Sequence, residues 1–149
     1  MATVRVARAM RLSDVPRVRE LEKASFTAPW KAETFLHLLE RSGCELMVLE
    51  DGEAGVVAYA VLWCILDQGE LANLAVAQTH RRQGVGRRML ESAVARAREE
   101  GVKTLYLEVR VSNEAAIAMY RSAGFKDVGR RRKYYDKPVE DALIMALEL

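Results

Sequence analysis

The sequence predicts one α/β domain spanning residues 1–149, built on a single sheet of six or seven strands. Three observations carry that expectation. Apolar, β-branched runs separated by Gly- and Asp-rich turns lie between Glu45 and Val76 and read as an antiparallel meander. A strongly amphipathic helical pattern follows from Val85, and the remainder alternates strand, helix, strand and strand. With 149 residues, 50% of them hydrophobic, the chain can close a core without disulfides or metal.

Each element has a local cause. Ser13-Asp14 stands before Val15, Val18 and Leu21 at helical spacing, with Pro16 tolerated in a first turn, so a helix starts near Asp14 and runs to about Ser25. Pro29-Trp30 interrupts it before a second helical stripe, Phe35, Leu36, Leu38 and Leu39. Glu45 to Glu50 and Val56 to Leu66 form a hairpin across the turn 51–55, and Glu70 to Val76 adds a third strand after Asp67-Gln68-Gly69. Val85, Met89, Leu90, Ala93, Val94 and Ala97 share one face of the next helix, which Gly101 closes. Thr104 to Val109 is a strand, Glu114 to Ala123 a short helix ended by Gly124, and Phe125 to Tyr134 and Ala142 to Leu149 are the last two strands.

Composition excludes several classes. The formal net charge is +2, from 23 Lys and Arg against 21 Asp and Glu, too small for a nucleic-acid coat over the whole surface. Basic patches are local, at Arg81-Arg82, Arg87-Arg88 and Arg130 to Lys133. Cys44 and Cys64 lack metal-site spacing and read as buried thiols. The opening residues have no apolar stretch of signal-peptide length and no later run is long enough to span a bilayer, so a cytoplasmic location is expected. His37 and His80 stand apart from any nucleophile motif, and no carboxylate cluster has metal-loop spacing.

The segment from Asn73 to Met89 runs strand, basic loop, glycines, helix, which is the arrangement a phosphate-bearing ligand needs. Gly84 and Gly86 let backbone N–H groups approach an anion, the helix start adds its dipole, and Arg82 and Arg87 add charge. A nucleotide P-loop is excluded because Gly86 precedes Arg87-Arg88 instead of Lys-Ser/Thr. A dinucleotide fingerprint fits poorly, with Met89 where its third glycine belongs and a long gap between Val76 and Gly84. Glu108, near the offset of a ribose-binding acid, keeps a nicotinamide enzyme as a minor alternative.

Arg81-x-x-Gly84-x-Gly86 after Leu74-Ala75-Val76 resembles the acetyl-coenzyme A signature of the GNAT superfamily of N-acetyltransferases. The resemblance extends through Leu105 to Arg110, Ser112 to Tyr120, Gly124-Phe125 and Arg131 to Tyr135. Within the superfamily that combination is similar to the ribosomal-protein-alanine N-acetyltransferases and their archaeal relatives that acetylate protein N-termini. The resemblance implies a mixed, mostly antiparallel sheet with about four helices, splayed after the strand ending at Val76. It also implies direct acetyl transfer through a ternary complex with acetyl-coenzyme A as co-substrate, no metal, and a protein N-terminus, with a ribosomal protein leading, as acceptor. The chain departs from the subfamily at Asp136-Lys137-Pro138-Val139, where the subfamily often carries Asp-Gly, so the resemblance does not fix the shape of its acceptor loop.

Residue roles follow from the chemistry and the resemblance together. Acetyl transfer from a thioester to an amine needs a free amine, an oxyanion donor and a proton for the departing thiolate. By resemblance Glu108 is the base and Tyr120 the acid, the backbone N–H of Val76 meets the thioester carbonyl, and Asn113 touches the coenzyme while capping the helix it precedes. A carboxylate ending the apolar run Leu105-Tyr106-Leu107 is also expected to be partly desolvated and more basic. Leu74, Ala75, Val76, Arg82, Gln83, Gly84, Val85, Gly86 and Arg87 line the expected coenzyme site, and Phe35, Tyr134 and Tyr135 the acceptor slot. Lysine or a small-molecule amine is the alternative acceptor. A nucleic-acid module using Arg130 to Lys133 leaves the glycine loop unexplained, so neither direct nucleic-acid binding nor a membrane is expected.

Overall fold

Seven strands form one sheet in the computed structural model, which describes residues 4–149. The strands are β1 (Arg5–Ala9), β2 (Cys44–Asp51), β3 (Gly55–Ile65), β4 (Gln68–Val76), β5 (Thr104–Arg110), β6 (Lys126–Tyr135) and β7 (Glu140–Glu148), in the order β1-β2-β3-β4-β5-β7-β6. The helices are α1 (Val15–Ser25), α2 (Ala32–Glu40), α3 (Val85–Glu99) and α4 (Glu114–Ser122), with short 3-10 turns at Leu12–Asp14 and Gln78–His80. All strand pairs are antiparallel except β4 with β5.

The expected α/β sheet is therefore present, with a strand the sequence reading did not assign. β1 alternates arginine with small residues and looks like a polar leader. It forms because its arginines are neutralised: Arg5 lies 3.3 Å from Asp51, and Arg8 pairs with Asp14 at 2.8 Å and Glu50 at 3.0 Å. The guanidinium of Arg8 holds the Asp14 carboxyl below its ordinary range. Cys44 and Cys64 are free and half-buried instead of fully buried, because they lie where the β2–β3 hairpin reaches the sheet margin.

The two faces of the sheet bury different partners. Val85, Met89, Leu90, Ala93, Val94 and Ala97 of α3 are buried, and that face packs across β2, β3 and β4. On the other face, Tyr59 of β3 meets Phe35 of α2 edge-on at 5.8 Å, and Trp63 stacks on Trp30, in the loop before α2, at 6.4 Å. Side chains two apart on a strand share a face, so Tyr59, Val61 and Trp63 mark the α1–α2 side. Asn73 opposite Val61, Glu70 opposite Trp63 and Tyr106 opposite Glu70 extend that side across β4 and β5.

Candidate functional site

The sheet opens at its middle. β4 and β5 pair only from Gln68 and Thr104 to Leu71 and Leu107, after which β4 continues to Val76 bonded to β3 alone and β5 to Arg110 bonded to β7 alone. A bulge sits at the start of the opening: Leu71 faces Leu62 and Asn73 faces Val61, leaving Ala72 as the extra residue. Such a bulge bends and twists its strand.

That opening exposes backbone groups of β4. Ala77 N donates to Val57 O at 2.8 Å. In an antiparallel ladder alternate residues bond to opposite sides, so Leu74 and Val76 turn their amides and carbonyls away from β3 and into the opening. The Arg81 guanidinium reaches back to Val76 O at 3.4 Å and to Ser25 Oγ at 3.4 Å. Val76 N–H, the expected oxyanion donor, is thus directed into the gap.

The glycine loop follows directly. Arg82 and Gly84 both have positive φ, 62° and 77°, and Gly84 is the N-cap of α3. Only glycine takes that conformation without cost, and a Cβ at Gly84 would meet nothing within 4 Å, so the requirement there is conformational. Gly86 differs: a Cβ would lie 3.3 Å from Met119 Sδ and 3.4 Å from Val76 Cγ2, so this glycine lets α3 approach β4 and α4. The first-turn amides of α3 have no acceptor within their own helix, and the first helical bond back to the loop runs from Arg88 N to Gly84 O at 3.0 Å.

The loop is stitched to the edge of the sheet. Gln83 Oε1 accepts from Arg5 Nη2 at 3.0 Å, while Gln83 Nε2 donates to Thr79 O at 3.2 Å. Arg5 also holds Asp51, and His80 Nε2 lies 3.6 Å from the same carboxylate. Arg87, expected to supply charge to the coenzyme, is engaged with Glu91 at 3.2 Å and Ser122 Oγ at 2.7 Å, whereas Arg82 is exposed and outside any ion pair among the described residues. The Val85 side chain is buried, so only its backbone faces the loop.

Across the opening the groups are side chains. Glu108 on β5 has 17% side-chain exposure and lies 3.0 Å from Arg131 Nε. Tyr134 lies beside the same carboxylate, whose interaction with the phenol raises it above its ordinary range, followed in weight by burial. β6 delivers both through an irregularity: Arg131 faces Ala142 and Tyr135 faces Glu140, so residues 132–134 are accommodated opposite Asp141 alone. Lys133 takes a φ of 52° there, and Asp141 Oδ1 accepts from Lys133 N at 2.9 Å while its Oδ2 accepts from Arg130 Nε at 2.9 Å. The departing loop 136–139 is pinned by Arg110, whose Nη1 donates to Pro138 O at 3.0 Å and Glu140 Oε1 at 3.3 Å.

The remaining expected residues separate into two kinds. Tyr120 is buried on α4 with its ring 5.7 Å from Phe125, and burial first, then Tyr135, pushes its phenol up to about 12. Tyr135, beneath the Arg110 guanidinium at 4.3 Å, is likewise raised to about 12 by burial and then by Glu108. Asn113 is the N-cap of α4, its Oδ1 accepting from Ala116 N at 3.4 Å. Phe35, expected along the acceptor slot, is fully buried between Trp30 and Tyr59, because the apolar stripe of α2 that it belongs to faces the sheet. The half-exposed aromatics on that side are Trp63 and Tyr134.

Sequence reasoning passed over the groups that shape the opening from below. Glu22 of α1 is 1% exposed, accepting from Tyr59 Oη, Asn73 Nδ2 at 2.8 Å and Trp30 N at 2.9 Å. Burial pushes its carboxyl up, opposed by those three donors. One side chain thus ties α1, the loop before α2, β3 and the bulged part of β4. Asn73 within the apolar run Leu71 to Val76 was the available signal, since a buried amide in a strand asks for a partner.

A sheet opened between two strands, with free amides on one side meeting a glycine-led helix and a carboxylate and buried phenol on the other, defines an N-acetyltransferase. Residues 15–125 match the acetyltransferase (GNAT) family, and the chain belongs to it. It is 39% identical over 147 residues to the putative [ribosomal protein bS18]-alanine N-acetyltransferase of Bacillus subtilis, covering 97% of this chain and 96% of that one. To the [ribosomal protein bS18]-alanine N-acetyltransferase of Escherichia coli it is 37% identical over 139 residues, 92% and 93% of the two chains. The crystal structure of the Escherichia coli ribosomal-protein-S18-alanine N-acetyltransferase superposes with a TM-score of 0.88 at 35% identity, covering 97% of this chain and 94% of that one. The fold class and the resemblance read from the sequence both hold. Among the described residues no helix is long and apolar enough to cross a membrane, and no group of potential ligands could hold a metal ion.

Proposed function

We propose that this chain transfers an acetyl group from acetyl-coenzyme A to the α-amine of a protein N-terminus, with the N-terminal alanine of a ribosomal protein as the leading natural target. The relatives named for that reaction match over more than nine-tenths of the chain. The observation that supports the reading most is the position of Glu108 at the opening, paired with Arg131 at 3.0 Å, across from the strand that turns Val76 N–H into the gap.

The residues fit the coenzyme. Leu74, Ala75 and Val76 offer strand backbone, Arg82 to Arg87 a run of free amides at a helix start, and Arg82 an uncommitted charge. When bound, acetyl-coenzyme A supplies the acetyl thioester. Val76 N–H donates to the carbonyl oxygen as negative charge develops on it. Glu108 takes a proton from the acceptor amine, directly or through water, and Tyr120, protonated at neutral pH, gives one to the departing sulfur.

The chemistry favours an α-amine as acceptor. At pH 7 an α-amine with a pKa near 8 is about a tenth free base, whereas a lysine near 10.4 is free to a few parts in ten thousand, each about. One carboxylate is enough for the former. Mass spectrometry of an alanine-starting peptide with an internal lysine tests this: acetylation at the α-amine is expected, and modification confined to the lysine excludes it.

A further inference from the structure

We propose that Arg5 of β1 is a positioning residue for the coenzyme, holding residues 79–84 through Gln83 in the shape that presents the first amides of α3. The proposal rests on the reading that acetyl-coenzyme A binds where β4 meets α3. It adds a residue from the edge of the sheet, remote in sequence from the glycine loop.

The loop needs holding. Arg82 is left-handed at a φ of 62° without being glycine, and Gly84 follows at 77°, a path the free chain disfavours. The loop's own bonds are local: His80 N to Ala77 O at 2.9 Å, Arg81 N to Gln78 O at 3.4 Å and Gln83 Nε2 to Thr79 O at 3.2 Å. Among the described residues, three side-chain contacts tie it beyond β4 and α3. They are Arg81 Nη2 with Ser25 Oγ at 3.4 Å, His80 Nε2 with Asp51 Oδ2 at 3.6 Å, and Arg5 Nη2 with Gln83 Oε1 at 3.0 Å. The last is the shortest, and it grips the residue between Arg82 and Gly84.

Arg5 is aimed by Asp51. The two are opposite each other in the β1–β2 ladder, and Asp51 is also opposite Gly55 at the turn into β3. Asp51 is 3% exposed: its Oδ1 accepts from Glu53 N at 3.1 Å and Ala54 N at 3.4 Å, and its Oδ2 from Arg5 Nε at 3.3 Å. A guanidinium is planar, so seating Nε on a buried carboxylate fixes the direction of Nη2. The Gln83 amide is oriented by its partners, because Arg5 can only donate and Thr79 O can only accept, which turns Oε1 toward β1. A line of fixed groups thus runs from the 51–55 turn through Arg5 to the residue before Gly84. Arg8, on the same strand, pairs with Asp14 at 2.8 Å and Glu50 at 3.0 Å and reaches nothing in the loop among the described residues.

Holding the loop acts on affinity. A phosphate-bearing ligand then meets amides already in place, and its Kd is the intrinsic value divided by the fraction of molecules whose loop has this shape. Releasing Gln83 lowers that fraction. Acetyl transfer, made by other groups, keeps its rate once the coenzyme is saturating.

The test is Arg5→Lys, with Gln83→Ala and Arg8→Met beside it. Lysine keeps the charge and the pairing with Asp51, but its ammonium ends one bond short of Nη2 and lacks the fork that serves two acceptors. By calorimetry, Arg5→Lys and Gln83→Ala are each expected to raise the Kd for acetyl-coenzyme A about 3- to 10-fold, and the double variant no more than either alone. At saturating acetyl-coenzyme A, kcat is expected to stay within about twofold, while KM for the coenzyme rises with Kd. Without coenzyme, amide exchange at His80 and Arg88, whose bonds to Ala77 O and Gly84 O close the two ends of the loop, is expected to quicken in both variants. Arg8→Met removes a charge from β1 without touching the loop, so it is expected to lower the Tm and leave the Kd as it was. Unchanged affinity in Arg5→Lys, additive losses in the double variant, or an equal loss in Arg8→Met overturns the proposal. So does weaker affinity without faster exchange, or faster exchange without weaker affinity. The underlying reading fails separately: if Gly84→Val binds acetyl-coenzyme A as the parent does, the coenzyme lies elsewhere and Arg5 does not position it.

Discussion

The two sides of the opening are built from different materials. On the β4–α3 side the groups that face the opening are backbone: strand amides freed where β5 leaves, and helix amides presented by a left-handed Gly84. On the β5–β6–β7 side they are side chains, Glu108, Arg131 and Tyr134, joined only because β6 carries extra residues opposite Asp141. A backbone site depends on fold and is indifferent to most side chains. A side-chain site depends on a few identities and on register, so under the proposed function it is the side that can be retuned for another acceptor while the proposed coenzyme side stays as it is.

The difference predicts where chemistry and binding separate. Tyr120→Phe and Glu108→Gln should each lower kcat/KM by about 10² to 10⁴ while leaving acetyl-coenzyme A affinity within a few-fold. The Glu108→Gln defect should be larger at pH 7 than at pH 9, where the α-amine is already mostly free. A pH-independent defect would move Glu108 from proton transfer to positioning. Loss of coenzyme binding in either variant would break the division between the two sides.

The coenzyme side should fail through conformation. Gly84→Val forces a branched side chain to a φ of 77°, which costs on the order of 1–3 kcal/mol and should weaken acetyl-coenzyme A at least about tenfold by calorimetry. Gly86→Ala sharpens the contrast within one loop. Its Cβ would press on Met119 and Val76, so the expected loss is in thermal stability more than in affinity. Equal affinity losses in both would mean that the loop acts as a single flexible turn.

Legibility followed the same line. Gly84, the α3 stripe and the strand ending at Val76 were readable because each is a short contiguous pattern with a local cause. β1 was not, since its strand character depends on Asp51, Glu50 and Asp14 neutralising its arginines. Ala72 as a bulge and the Arg131–Glu108 pair were invisible for a related reason: both are properties of register between strands. Phe35 shows the converse error, where an aromatic assigned to a slot fills the core because its helix face leaves it nowhere else.

The floor beneath both sides should respond in stability first. Tyr59→Phe removes a buried donor to Glu22 and leaves that carboxylate with Asn73 and Trp30 alone. A loss of about 1–3 kcal/mol in denaturant unfolding is expected, as for other buried groups left short of a partner. Because Asn73 sits beside the freed stretch of β4, a smaller drop in coenzyme affinity should accompany it. Unchanged stability would mean that Glu22 is held well enough by its other two donors.

The smallest expected effect decides whether Asn113 belongs to the coenzyme side at all. Its Oδ1 accepts from Ala116 N, and its own carbonyl accepts the first α4 bond from Ile117 N at 3.0 Å, so capping accounts for the residue type. Asn113→Ala should then cost about 1 kcal/mol, a shift in Tm of roughly 2–4 °C for a chain of this size. Asn113→Asp keeps the acceptor oxygen, suits the positive end of α4, and should restore the Tm. The amide Nδ2 is the only group that Asp lacks. If the coenzyme is touched through that amide, Asn113→Asp regains stability without regaining affinity, whereas a purely capping Asn113 recovers both together. Thermal scans and calorimetry on the two variants therefore separate a helix cap from a coenzyme contact, and a joint recovery would confine the coenzyme side to β4 and α3.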